Sequence, residues 1–107
     1  MKDLEKLYAV LQERKQADPS SSYVASLYSG AVDKIAKKIG EEATEVILAS
    51  KNAQQNGNKE DLIYEMADLW FHNLVMLSFF DIKLQQITDE LNRRFGISGH
   101  IEKASRN

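Results

Sequence analysis

The chain has 107 residues, a formal net charge of -2 and no cysteine. Its length suits one domain with a modest core, near the size at which a second subunit helps to cover apolar surface. Without cysteine there is no disulfide framework, no thiolate zinc site and no cysteine nucleophile, and the charge balance offers no general basic surface to nucleic acid.

One proline and five glycines in the whole chain predict helix nearly throughout. The opening MKDLEKLYAV is charged from its second residue and lacks a signal-peptide apolar core, and no run reaches the length of a membrane span, so a soluble cytoplasmic protein is expected. Leu4, Leu7, Tyr8 and Leu11 recur at helical spacing and predict a first helix from about Asp3 to Gln16. Asp18, Pro19 and Ser20 to Ser22 break it, and Tyr23 to Tyr28 predicts a short helical turn before Gly30. A third helix is expected over Ala31 to Asn52, with Val32, Ile35, Ala36, Ile39, Ala43 and Val46 on a face opposite its acids. Gln54 to Asn58, with Gly57, reads as a turn.

A fourth helix over Lys59 to Phe80 is expected to bury Ile63, Met66, Trp70, Leu74 and Leu77, leaving Glu65, Asp68 and His72 on its other side. Leu69, Phe71, Val75 and Phe79 spread beyond that face and suggest more apolar surface than a monomer covers. Leu84 to Phe95 predicts a fifth helix, followed by Gly96, Gly99 and a polar tail ending in SRN. Nothing alternates with period two for long enough to be a strand. The fold class expected is all-α, a four-to-five-helix bundle completed by dimerisation.

Chemistry concentrates in five carboxylates. A helical residue turns by about 100°, so Glu41, Glu42 and Glu45 fall within an arc of about 100° and Glu65 and Asp68 within about 60°. Either set alone is an ordinary solvated helix face. Placed on neighbouring antiparallel helices, joined through the polar break Asn52 to Lys59, four or five acids converge and repel one another unless a hard cation neutralises them. All-oxygen ligation suits Mg²⁺ or Mn²⁺ rather than Zn²⁺. The second set lies in the otherwise apolar stretch Leu62 to Phe80, where uncompensated acids cost solvation energy.

Lys34 and Lys38 fall about 20° and 60° from Glu41, toward the start of the same helix. They serve either as partners in i,i+4 ion pairs such as Lys38 with Glu42, or as cations for the distal phosphates of a substrate whose reacting phosphate sits on the metal. His72 shares the face of Glu65 and Asp68 and either closes the hydrogen bonding of the site, pairing with Asp68, or contacts a phosphate or the attacking water. Trp70 and Phe71 read as core or subunit interface, and Arg93 and Arg94 as a solvated helix end able to reach a phosphate across a dimer.

The segments KKIGEEATE (Lys37 to Glu45) and EMADLWFH (Glu65 to His72) resemble the EExxE and ExxD pair of the all-α MazG-type nucleoside-triphosphate pyrophosphohydrolases. Within that superfamily the chain is similar to the phosphoribosyl-ATP pyrophosphohydrolase family. This narrower likeness rests on SSYVASLYSG (Ser21 to Gly30), the lysine pair Lys37 and Lys38, ADLWFHNLVML (Ala67 to Leu77) and LNRRFGISG (Leu91 to Gly99), and it spans about Leu4 to Lys103. Val24, Ala25 and Ser26 depart from the family pattern, which has a threonine and a lysine here.

The resemblance implies cleavage of 1-(5-phosphoribosyl)-ATP between its α and β phosphates in the second step of histidine biosynthesis. It implies Glu42, Glu45, Glu65 and Asp68 as Mg²⁺ ligands, with Mn²⁺ as a substitute. One of Glu41, Glu42 and Glu45 would polarise the attacking water, and the residues do not assign which. Lys34, Lys37, Lys38, His72, Arg93 and Arg94 are the candidates for contact with substrate, and a homodimer or larger homo-oligomer is expected, with no nucleic-acid or membrane partner. Two other readings stay open: a nucleotide-pool pyrophosphatase with the same acidic cage, and a non-catalytic or di-iron helical bundle. Iron is disfavoured because di-iron bundles use Glu-x-x-His, whereas Glu65 is followed at that spacing by Asp68.

Overall fold

The computed structural model describes residues 2–96, all of whose regular structure is helical: α1 (Lys2–Arg14), α2 (Tyr23–Ser29), α3 (Ala31–Asn56), α4 (Glu60–Phe79) and α5 (Leu84–Phe95). Gly99, the end of the LNRRFGISG block and the polar tail lie outside the described residues. The architecture is the expected all-α MazG-like bundle.

Local chemistry sets the helix ends. Ser22 caps α2, its hydroxyl accepting from the Ala25 N–H at 3.2 Å, which satisfies one of the orphan donors of the first turn. The third helix outruns its expected end at Asn52 by a turn and stops at Gly57, which takes the left-handed conformation (φ 74°) and returns its N–H to Ala53 O at 2.8 Å. Polar residues such as Gln54 and Gln55 tolerate helix, and glycine is the residue that leaves it at no steric cost. Gly96 ends α5 in the same way (φ 59°). At the start of α5 the Gln86 side chain accepts from the Lys83 N–H at 2.9 Å.

Helices α3 and α4 form an antiparallel hairpin through the three residues 57–59, and their contact is the main packing of the molecule. The core lies at one end of it, where α1 and α2 cover the first half of α3 and the second half of α4. Leu11, Leu27, Ile35, Leu74 and Val75 are buried there. Two tyrosines lock this end. The Tyr28 hydroxyl donates to Leu11 O at 3.1 Å and shares a 2.7 Å hydrogen bond with the buried Ser78 hydroxyl. Tyr8 donates to Ile82 O at 2.7 Å, while Lys15 Nζ sits 2.8 Å from Asp81 Oδ1.

Two expectations about helix faces are corrected. On α3 the acids do not lie opposite Ile35: Glu42 is seven residues on, hence within about 20° of it, and Ile35, Glu42 and Ala49 form one buried stripe against α4. On α4 the residues turned inward are His72, Leu74, Val75 and Ser78, whereas Ile63 and Trp70 are 67 % and 50 % exposed. Val75 is in the core and Phe71 and Phe79 pack beside it, so three of the side chains expected as surplus are used internally. Helix α4 is apolar on two sides, and α3 takes the side that carries the acids.

The other side of α4 forms a shallow apolar groove lined by Leu62, Ile63, Met66, Ala67 and Trp70. No described element covers the hairpin tip, where Ile47, Leu48 and Tyr64 are also exposed.

Candidate active site

Because α3 and α4 are antiparallel and close, the two acidic spacings meet in the seam between them. Glu42 is 7 % exposed. Its carboxylate, that of Asp68 and a ring nitrogen of His72 lie within 4.8 Å of one another, a group able to hold a metal ion. Glu45 and Glu65 stand one turn further toward the tip and, with Asp61, Asn52 and Tyr64, line an open pocket. Partial desolvation raises the Glu65 carboxyl above its ordinary value, and the negative charges of Glu45, Glu42, Asp68 and Asp61 push it the same way. Five acids therefore share one field. Asp61 was not singled out from the sequence, although its i,i+4 relation to Glu65 places it on the same helix face.

Lys38 is the cation at this cluster, its Nζ 3.4 Å from both Glu41 Oε1 and Glu42 Oε1. Burial alone would lower the Lys38 ammonium, but Tyr23, Glu42 and Glu41 outweigh it and hold the group above the usual lysine value. Glu41 remains half exposed on the outer edge. The other candidate cations are placed differently. Lys34 folds over Gly30, where a side chain would collide with it, and donates to Ser26 O at 3.1 Å, satisfying a carbonyl near the C-terminus of α2. Lys37 is exposed on α3. Arg93 and Arg94 both grip Glu90 of their own helix, each with a bond of 2.7 Å to Glu90 Oε2. Their helix contributes Leu84, Ile87 and Leu91 to an open apolar groove shared with Leu4, Leu74 and Leu77, so α5 stands on the α1 side of α4 rather than on the acidic seam.

His72 is 2 % exposed and both of its ring nitrogens are engaged. Nδ1 lies 2.8 Å from Asp68 O and 3.4 Å from Asp68 Oδ1; Nε2 lies 2.9 Å from the Tyr23 hydroxyl. A carbonyl only accepts, so Nδ1 carries the proton and Nε2 accepts from the phenol. The Tyr23 phenol is itself raised above its ordinary value, first by burial and then by Asp68, Glu42 and Glu41 against the opposing Lys38. It is a protonated donor at neutral pH. Tyr23 was missed as a site residue because its partner lies 49 positions away on another helix, a relation no single-helix spacing reveals.

Crowded carboxylate oxygens with one lysine on their rim suit a hard divalent cation facing a polyphosphate. The donor set fits such an ion: the nearby acids offer oxygen, and the histidine nitrogens are already committed. No helix among the described residues is long and apolar enough to cross a membrane. The family model for phosphoribosyl-ATP pyrophosphohydrolase matches residues 4–95, from the first leucine of α1 to the last residue of α5. The chain therefore belongs to the phosphoribosyl-ATP pyrophosphohydrolases, hydrolases of a phosphoanhydride bond in histidine biosynthesis.

Proposed function

We propose that the chain hydrolyses 1-(5-phosphoribosyl)-ATP to phosphoribosyl-AMP and pyrophosphate with Mg²⁺ held by Glu42, Glu45, Glu65 and Asp68, and that Mn²⁺ substitutes for it. The observation that carries this reading is the convergence of Glu42 and Asp68 in a buried seam, with the Glu65 carboxyl raised by partial desolvation and by its acidic neighbours. A bound divalent ion supplies Lewis-acid polarisation of the phosphoryl oxygens and a lower pKa for water. The chain's own part is to place the groups. Glu41, half exposed beside the cluster, Glu42 and Glu45 are the carboxylates within reach of an attacking water, and one of them takes its proton. Lys38 offsets charge on the phosphates, while Lys37, and Lys34 once released from Ser26 O, extend the cationic rim along α3. His72 acts within the site through hydrogen bonds. Arg93 and Arg94 serve the substrate only from a neighbouring subunit.

A homodimer fits this reading. The groove of Leu62, Ile63, Met66 and Trp70 is what a second copy would cover.

Pyrophosphate release from phosphoribosyl-ATP, with and without Mg²⁺, tests the assignment. Release that depends on the metal is expected. Phosphoribosyl-ATP carries a ribose 5-phosphate that ATP lacks, and losing a charge-assisted contact to it costs about 1.5–3 kcal/mol. Lys37→Ala is therefore expected to slow phosphoribosyl-ATP cleavage and to leave slow ATP hydrolysis unchanged. Equal cleavage of common nucleoside triphosphates would replace this reading with a nucleotide-pool pyrophosphatase.

A further inference from the structure

Asp68 and Glu42 bring two carboxylates together in the seam, where mutual repulsion drives them apart unless something fixes their side chains. The Tyr23–His72 unit is a neutral donor group between α2 and this pair. With its proton on Nδ1, His72 faces Asp68 with a donor, at 2.8 Å from the carbonyl and 3.4 Å from Oδ1. In the other tautomer the Nδ1 lone pair would face two acceptors of the same residue. Tyr23 selects between them, because its hydroxyl, 2.9 Å from Nε2, donates to a lone pair there.

The geometry points to Tyr23 as a positioning residue for the metal group: through His72, whose Nδ1–H is bonded to the Asp68 main-chain carbonyl and stands 3.4 Å from its carboxylate, it keeps a donor edge toward that carboxylate on the Glu42 side, and His72 is a bracket rather than a ligand. This rests on the metal reading above and adds a residue from α2, an element that contributes no carboxylate. Partners of this kind fix the orientation of groups that bind metal, and removing one typically weakens metal affinity by about 10–100-fold.

The same short helix provides its own control. Tyr28 also joins α2 to α4, through Ser78, but in the apolar core. The Tyr23 ring stacks on Phe71, with centroids 6.4 Å apart and planes 20° from parallel, and meets His72 edge-on. Tyr23→Phe therefore keeps the packing and removes only the hydroxyl.

The test measures Mn²⁺ binding by the full chain, from the electron paramagnetic resonance signal of free Mn²⁺, in wild type, Tyr23→Phe and Tyr28→Phe. Tyr23→Phe is expected to weaken binding by about 10-fold or more, with a loss of Tm no larger than that of Tyr28→Phe, since each removes one hydroxyl from a buried partner. Tyr28→Phe is expected to lower Tm and leave the affinity at the wild-type value. Equal losses of affinity in both variants would mean that Tyr23 merely docks α2. Unchanged or tighter binding in Tyr23→Phe would mean that Nε2 is free to ligate, and would overturn the bracket. A long-range proton–nitrogen NMR spectrum of the metal-free wild type adds a readout that needs no ion: the Nδ1–H tautomer is expected for His72, and the Nε2–H form overturns the inference. A wild type that binds Mn²⁺ but releases no pyrophosphate removes the substrate assignment and leaves the variants to decide on Tyr23; one that binds no Mn²⁺ removes both.

Discussion

Glu42 lies one heptad beyond Ile35 on the same buried stripe of α3, so a carboxylate occupies a position the helix packing reserves for an apolar side chain. Function and stability oppose each other there. Glu42→Leu is expected to stabilise the metal-free protein by about 1–2 kcal/mol, since replacing buried charge with packed hydrocarbon is often favourable, and to abolish pyrophosphate release. Glu45→Gln and Asp68→Asn should lose about two to three orders of magnitude in turnover, the equivalent of several kcal/mol of Lewis-acid stabilisation, without losing helicity or metal-free Tm. Calorimetry and the release assay on the same samples check both halves, and near wild-type turnover would remove these residues from the site.

Two carboxyls give the metal-free protein opposite responses to acid. Glu65 has a raised pKa in the folded state through partial desolvation and its acidic neighbours, so the folded form retains a proton that the unfolded chain has released. Its destabilising effect is absent below the unfolded value of 4.5 and grows as pH rises through the folded pKa. Glu90 is held down to about 2 by hydrogen bonds from Arg93 and then Arg94. Its stabilising effect is present above 4.5 and is lost as pH falls toward 2. Carbon-detected NMR titration should find Glu90 with a midpoint near 2 and Glu65 above 4.5. A Glu65 midpoint at or below the model-compound value would contradict the crowding of the five acids.

Ala31 opens α3 with φ 58°, in the left-handed region. A side chain there costs about 1–2 kcal/mol, of which the greater freedom of glycine in the unfolded chain returns part. Ala31→Gly is expected to raise stability by about 0.5–1 kcal/mol, read as a higher midpoint in urea at constant slope. A lower midpoint would show that the Ala31 methyl contributes more by packing than its backbone conformation costs.

Trp70 is the sole tryptophan, and it sits in the uncovered groove of α4. If a second copy covers that groove, light scattering at micromolar concentration should give at least twice the chain mass, with tryptophan emission shifted to the blue. Ile63→Asp should yield a monomer with red-shifted emission. A wild-type monomer with solvent-exposed emission would count against the dimer.

Helix existence and most boundaries were legible in the sequence because they depend on local spacing and on a few punctuating residues. Pro19, Gly57 and Gly96 mark them, and α5 runs over the predicted Leu84 to Phe95. What local spacing does not carry is which face of a doubly apolar helix meets which neighbour. Ile63 and Trp70 share a stripe with the buried Leu74, yet only Leu74 reaches the core, because α1 extends no further along α4. The acidic spacings pointed to the seam itself, since carboxylates at i,i+3 and i,i+4 have few reasons to face another helix. The Tyr23 contact depends on a pairing between distant elements, and the positions of Lys34, Arg93 and Arg94 on how each long side chain satisfies its nearest acceptor.

The hydrogen bonds from Tyr8 to Ile82 and from Lys15 to Asp81 join residues 74 and 66 positions apart. On the ribosome, α1 emerges well before the turn between α4 and α5 to which it bonds. Until then Leu4, Leu7 and Leu11 lack the α4 surface on which they settle, whereas α3 and α4 can zip together through three connecting residues as soon as both have emerged. The nascent chain thus carries α1 as an incompletely docked amphipathic segment until the turn between α4 and α5 is made.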